Sequence, residues 1–342
     1  MPRTAHIVLA VALPAVVACG GEPGAKIAAK LSATAAPAAP ITVTERILAM
    51  LPAGAQVVVE VDLARLRANP VVGDVVTRAL AERTAELPAG VPASPLAATD
   101  QMVLAAYGVG TAQAATLTVL AAGHDLEGTT KLADGFYAVG PPEWVDQAQQ
   151  RVALATTGEA KFAISAPPEL LELRRHAMPA NAPGASLRVT ARLPFDARIA
   201  LARQTGLDAA PAQLSAWGDV VDDLALIVDC DSTDPGNRPS GSHGSDAPRR
   251  LEASLRGVLA AVSEEPAVRA LGLPSSLTGA KLVVRGAWVR TIIAIGPAHL
   301  HRVVERAAAL LREAQPSPPT QPSPSPPPVP SPEAAPRGDH AS

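Results

Sequence analysis

The sequence predicts an α+β body made of two related halves, each a mainly antiparallel sheet with helices packed on one face. Three observations lead there. Apolar runs of strand length alternate with stretches whose apolar residues recur at helical spacing. A strand–turn–helix pattern recurs at three places. Two segments, starting near residues 51 and 185, each lead from a turn into a strand.

Composition narrows the function classes. The 342 residues suit one large domain or two of ordinary size. With 48% hydrophobic and 18% charged residues the chain can bury a core. A net charge of -3 supplies no basic field, so no nucleic-acid partner is expected. Aromatic residues are 2%, too few for platforms that stack bases or sugars. Alanine is used 70 times, and Arg outnumbers Lys 24 to 5, usage typical of a GC-rich bacterial genome.

Residues 1–18 read as a signal peptide. Arg3 and the amino group give a positive start, and Ile7–Val17 give an apolar run interrupted by Pro14. That run is well short of the ~20 residues of a permanent membrane helix. It ends in Val16-Val17-Ala18-Cys19, which resembles the bacterial lipobox: an aliphatic residue, then a small residue, then the lipidated Cys. The resemblance implies diacylglycerol on the Cys19 thiol and acylation of its amino group. Several acyl chains anchor far more firmly than one. Gly20 follows, which by likeness to enterobacterial sorting points to the outer membrane, facing the periplasm or the cell surface. Residues 19–41 are rich in Ala, Pro, Gly and Ser and read as the lipidated Cys and a flexible tether, with a reach of roughly 25 Å.

The first half is expected over 42–177. Val57–Val61 reads as a strand followed by an Asp62 cap and a helix. Strands follow at Met102–Tyr107 and Ala115–Ala121, with a helix over Val71–Leu87. Gly108-Val-Gly110-Thr lacks the third glycine of a dinucleotide fingerprint and reads as a strand-end turn. Phe136–Val139 then Gly140-Pro-Pro is the first copy of the recurring unit. The second is Phe162–Ile164 then Ser165-Ala-Pro-Pro, and the third is Ile292–Ile295 then Gly296-Pro. Pro suits the first helical turn, where its missing N–H is not needed.

Met178–Gly184 breaks the body, and the second half is expected over 185–314. It opens with Leu187, Val189 and Ala191 on one face of a strand and Arg188, Thr190 and Arg192 on a wet one. Helices are expected at Pro211–Val221 and Arg249–Leu271, and strands at Leu224–Cys230, Lys281–Arg285 and Trp288–Ile295, with a hairpin at Gly286-Ala287. Residues 232–248 read as an exposed polar loop. Val303, Ala307, Leu310 and Leu311 give a final helix its apolar stripe. The tail, 315–342, holds 11 Pro in 28 residues and reads as disordered with a polyproline bias.

No nucleophile elbow, paired-His zinc helix, Cys pair or P-loop occurs, so no catalytic residue, cofactor or metal is expected. His299 and His301 are two apart on a helix and point to different faces. Asp219, Asp222 and Asp223 form an acidic cluster read as solvated. Cys230 reads as a buried core thiol. Together, the Val16–Cys19 motif, the low-complexity tether and Leu51-Pro-Ala-Gly-Ala-Gln-Val-Val-Val-Glu-Val-Asp62 resemble uncharacterised secreted lipoproteins of GC-rich Gram-negative bacteria. That resemblance implies a place in the cell envelope and carries over no activity.

The function expected is therefore a lipid-anchored envelope protein, a non-catalytic binding or structural module. Its partners are the membrane through Cys19 and an envelope protein or wall polymer. The alternatives are a divergent periplasmic hydrolase and a lipoprotein binding a small ligand between the halves.

Overall fold

The computed structural model describes residues 42–82, 94–156, 168–179, 184–205, 210–232 and 246–313. The leader, Cys19, the tether, most of the 232–248 loop and the 315–342 tail lie outside those residues. The body is α+β with antiparallel strand pairing, as the alternation of strand-length and helix-period segments predicts.

Ten strands form one continuous sheet. They are β1 (Val57–Asp62), β2 (Gln101–Tyr107), β3 (Ala115–Ala121), β4 (Thr130–Ala133), β5 (Phe136–Val139), β6 (Leu187–Arg192), β7 (Gln213–Val220), β8 (Leu224–Asp231), β9 (Lys281–Arg285) and β10 (Trp288–Ile295). Their order is β4-β5-β3-β2-β1-β6-β7-β8-β10-β9. Counted outward from the centre, one arm runs β1-β2-β3-β5-β4 and the other β6-β7-β8-β10-β9, the same order twice. The arms meet at β1 and β6, with Val57 opposite Ala191, Val59 opposite Val189 and Val61 opposite Leu187. The two strand sets therefore share one sheet.

The helices are α1 (Val43–Met50), α2 (Leu63–Ala68), α3 (Gly73–Glu82), α4 (Ser94–Ala97), α5 (Pro142–Thr156), α6 (Pro168–His176), α7 (Phe195–Thr205), α8 (Ala247–Ser263), α9 (Pro266–Leu271), α10 (Pro274–Thr278) and α11 (Pro297–Glu313). Local sequence starts several of them. Thr42 accepts from the Glu45 amide while its own amide donates to the Glu45 carboxylate, a capping box for α1. Asp62 accepts from the Arg65 amide and caps α2.

Side-chain alternation sends each strand's residues to two faces. On one face Leu273, Leu277, Leu300 and Val303 of the second arm pack over Leu187, Val189, Ala216, Leu224 and Ile293. On the same face of the first arm Leu63 and Leu96 pack over Leu120 and Tyr137. On the opposite face Ile47 and Leu48 of α1 and Val145 and Ala148 of α5 cover Val58, Val103, Leu117, Val119 and Phe136. Helices thus sheathe both faces of the first arm. Ile47 and Leu48 are wholly buried, each stabilising the fold by about 1.5–3 kcal/mol.

Four expectations are corrected. Pro211–Val221 is not a helix: Gln213–Val220 is β7, hydrogen-bonded on both sides, by β6 and by β8. Its polar and apolar residues are buried together because both faces of the strand are covered, which hides the period-two alternation. The helix over Arg249–Leu271 is two helices, because Pro266 lacks an amide and pushes Glu265 to an extended ψ of 133°. The polar face of β6 is wet only at its end, where Arg192 is exposed. Arg188 and Thr190 are buried, since α6 lies over β6 and β7. The expected Val71–Leu87 helix starts later: Asn69 accepts from the Val71 and Val72 amides, and α3 begins at Gly73, while residues 83–87 lie outside the described residues.

Candidate functional site

The buried polar side of the sheet centre gathers the charged side chains of Glu60, Arg188 and Asp229. Register alone assembles it. Glu60 on β1 lies opposite Arg188 on β6, which lies opposite Trp217 on β7. One row along, Thr190, Ser215, Asp229 and Arg290 are successive neighbours across β6, β7, β8 and β10.

Helix α6 is laid across these rows. Leu170, Leu173 and Ala177 supply its apolar contacts and are buried. Its polar contacts are specific. Arg174 grips Glu60 with Nε at 2.7 Å from Oε1 and Nη2 at 2.8 Å from Oε2. His176 Nδ1 lies 2.9 Å from Asp229 Oδ2. The Ala177 amide donates to Ser215 Oγ at 3.2 Å. Arg290 in turn holds both oxygens of Asp229, at 2.8 and 2.6 Å, and donates to the His176 carbonyl at 3.0 Å. The His176 ring stacks on Trp288 with centroids 3.7 Å apart.

The electrostatics follow from burial and pairing. Burial pulls the Arg174 guanidinium down, and the Glu60 hydrogen bonds and charge more than offset it, leaving its pKa raised. Arg188 is held below its ordinary value, first by burial and then by the charge of Arg174. Arg290 is raised by its hydrogen bonds to Asp229. Next to Asp229, burial drives the Cys230 thiol up to about 12, so it stays protonated and unreactive.

A second clamp joins the arms at the other end of the seam. Arg65 of α2 donates to both Asp219 oxygens at 2.7 and 2.6 Å, and Ser186 donates to Oδ1 of the same carboxylate. Asn69 donates to the Val220 and Val221 carbonyls. Asp219 is thus a structural ion-pair partner, while Asp222 is exposed. This arrangement orients and locks; Glu60, Asp219 and Asp229 are each engaged by a guanidinium.

The other residues of chemical interest are dispersed. Cys19 and His243 lie outside the described residues. His299 pins α11 to the α9–α10 turn, with Nε2 2.8 Å from the Gly272 carbonyl and Nδ1 3.4 Å from Ser276 Oγ, and His301 is exposed. Gly108 and Gly110 form the β2–β3 turn, both at positive φ. Trp144 stacks on Tyr107 with centroids 3.9 Å apart, and Trp217 is buried with its indole donating to the Gly184 carbonyl. Among the described residues no group of three or more His, Cys, Asp or Glu could hold a metal ion, and no helix is long and apolar enough to cross a membrane. Sequence reasoning missed the Glu60–Arg174 and Asp229–Arg290 pairs. Their partners are 114 and 61 residues apart, and no local pattern links them.

No protein-family model matches the chain, and no curated protein does. Among solved structures, that of TP0453 aligns over 76% of this chain and 96% of its own, at 9% identity and a TM-score of 0.38.

Proposed function

We propose that this chain is a lipid-anchored protein of the cell envelope whose body serves as a non-catalytic binding or structural module. One observation carries the reading: Val16-Val17-Ala18-Cys19 closes an apolar run too short to remain as a membrane span. Cleavage before Cys19 and acylation of that residue tether the body to a bilayer, at the outer membrane facing the periplasm or cell surface. The pairing of Glu60, Asp219 and Asp229 with arginines supports a body built for rigidity, because those carboxylates are occupied by structural bonds. Its partners are the membrane and an envelope protein or wall polymer.

The test is direct. Cells expressing the intact chain are labelled with palmitate and extracted by detergent phase separation. The wild type is expected to carry label and partition into the detergent phase, and Cys19→Ser to lose both. Equal labelling of the two chains, or a wild-type chain that retains residues 1–18, refutes the proposal.

A further inference from the structure

Away from the sheet centre, an open cleft of about 290 Å³ lies between α7 and the first turn of α8. One wall is Phe195, Ile199 and Ala202, spaced four and three residues apart so that they share a helix face. The floor is Leu251, which is 1% exposed. Phe195 is the most exposed large hydrophobic side chain of the described residues, at 62%. By contrast, Tyr107, Phe136, Tyr137 and Trp217 are all buried. A phenylalanine left this exposed forgoes burial that a covering partner recovers.

Across from that wall Arg250 lines the cleft from α8, and Arg198 lines it from the α7 wall itself. Arg249 and Arg250 both fall in the first turn of this 17-residue helix, whose first turn has no acidic residue and whose N-cap, Asp246, makes no side-chain cap hydrogen bond. Two cations at the positive end of a helix dipole are placed against the usual preference. An anion seated there relieves that mismatch, and an apolar chain on Phe195 and Ile199 relieves the other.

We propose that this cleft binds a medium-chain alkyl carboxylate, its head against Arg250 and the α8 amino end and its chain along Phe195, Ile199 and Leu251. At about 290 Å³ the cleft stands at the small end of ligand pockets, which start at about 300 Å³, so a medium-chain acid such as decanoate suits it better than a long-chain one. The proposal goes beyond the anchoring reading and does not rest on it, since Cys19 takes no part.

The full chain carrying Cys19→Ser is titrated with decanoate below its micelle concentration, by calorimetry. Saturable one-to-one binding is expected. Phe195→Ser and Arg250→Gln should each weaken it at least tenfold, Arg250→Lys should restore most of it, and unfolding midpoints should stay unchanged because both side chains are exposed. Decanol and acetate, offering only chain or only head, should each bind at least tenfold more weakly. Absence of saturable decanoate binding overturns the proposal, as does indifference to either substitution. Decanol binding as tightly as decanoate overturns it too, by reducing the cleft to unspecific apolar adhesion.

Discussion

Replacing Glu60 by Gln should destabilise the protein more than replacing Arg174 by Met, although the two side chains form one ion pair. The reason is the third charge. Glu60 is 6% exposed and holds Arg174 through three hydrogen-bond contacts of 2.7–3.0 Å. Arg188, 8% exposed, lies opposite Glu60 on the neighbouring strand and feels its charge as well. Removing Arg174 leaves Glu60 facing Arg188, so the buried strip stays balanced and the cost is that of lost charged hydrogen bonds, about 1–3 kcal/mol. Removing the carboxylate leaves Arg174 and Arg188 repelling each other in a desolvated site, where the more distant charges of Glu45 and, for Arg188, Asp219 offset them only in part, and the cost rises to about 3–5 kcal/mol. Urea unfolding of the two variants and the double variant, at constant m, measures both costs and their coupling. A cost for R174M equal to or above that for E60Q would contradict the shared-carboxylate argument, and so would a cost under about 1 kcal/mol for E60Q.

Cys230 should resist thiol reagents in the native state at pH 8 and react only on unfolding. Its folded value of about 12 lies above its ordinary 9.0, so the stability it confers is complete below pH 9 and falls as pH rises toward 12, by up to ~1.4 kcal/mol per pH unit. Tyr107, raised by burial above 10.0, acts in the same direction at higher pH, and Cys230→Ala should flatten the lower part of the alkaline slope in urea titrations at stepped pH. Gly110→Ala should lower stability by about 2 kcal/mol or more, because φ is +84° and an added Cβ would sit 2.7 Å from the Ala197 Cα. At Gly286, also at positive φ (+61°) but with nothing within 4 Å, the same substitution should cost only about 1–2 kcal/mol. Thermal melts of the pair separate backbone strain from collision, and equal losses would remove Ala197 from the explanation.

What was legible in the sequence was local. Lys281–Arg285 and Trp288–Ile295 announce themselves by β-branched runs flanking Gly286, which stands at a φ of 61° in the two-residue turn. Asp62 signals its helix by chemistry that needs no partner beyond the Arg65 amide. Gly140-Pro and Gly296-Pro mark the same step, β5 to α5 and β10 to α11, in the two arms. The polar strip was not legible. Arg188 and Thr190 alternate with Leu187 and Val189 as a solvated face would, and it is α6, the helix just before β6, folding back over the strand that turns that face inward. β7 was misread for a related reason: Ser215, Trp217 and Asp219 are buried opposite Ala216 and Val220, so neither period stands out.

The repeated strand order bears on why the two arms form one sheet. Each arm ends at the centre on a strand, β1 or β6, that would be an unpaired edge if its arm stood alone. Such edges carry rows of unsatisfied amides and carbonyls. Here the two edges satisfy each other, with five opposed residue pairs from Val57–Ala191 to Val61–Leu187. Backbone pairing is generic, and a shift of one residue would turn every side chain to the wrong face. The ion pairs supply the specificity that the ladder lacks. Arg65 reaches Asp219 from one side of the seam, while Arg174 reaches Glu60 and His176 reaches Asp229 on the other. Because α6 binds strands of both arms, a slip of β6 against β1 would strand at least one buried charge, at a cost of several kcal/mol. The charged groups at the sheet centre are thus best understood as a register lock, and the search for a ligand belongs at the exposed cleft beside α8, where an aromatic ring stands in water near Arg250.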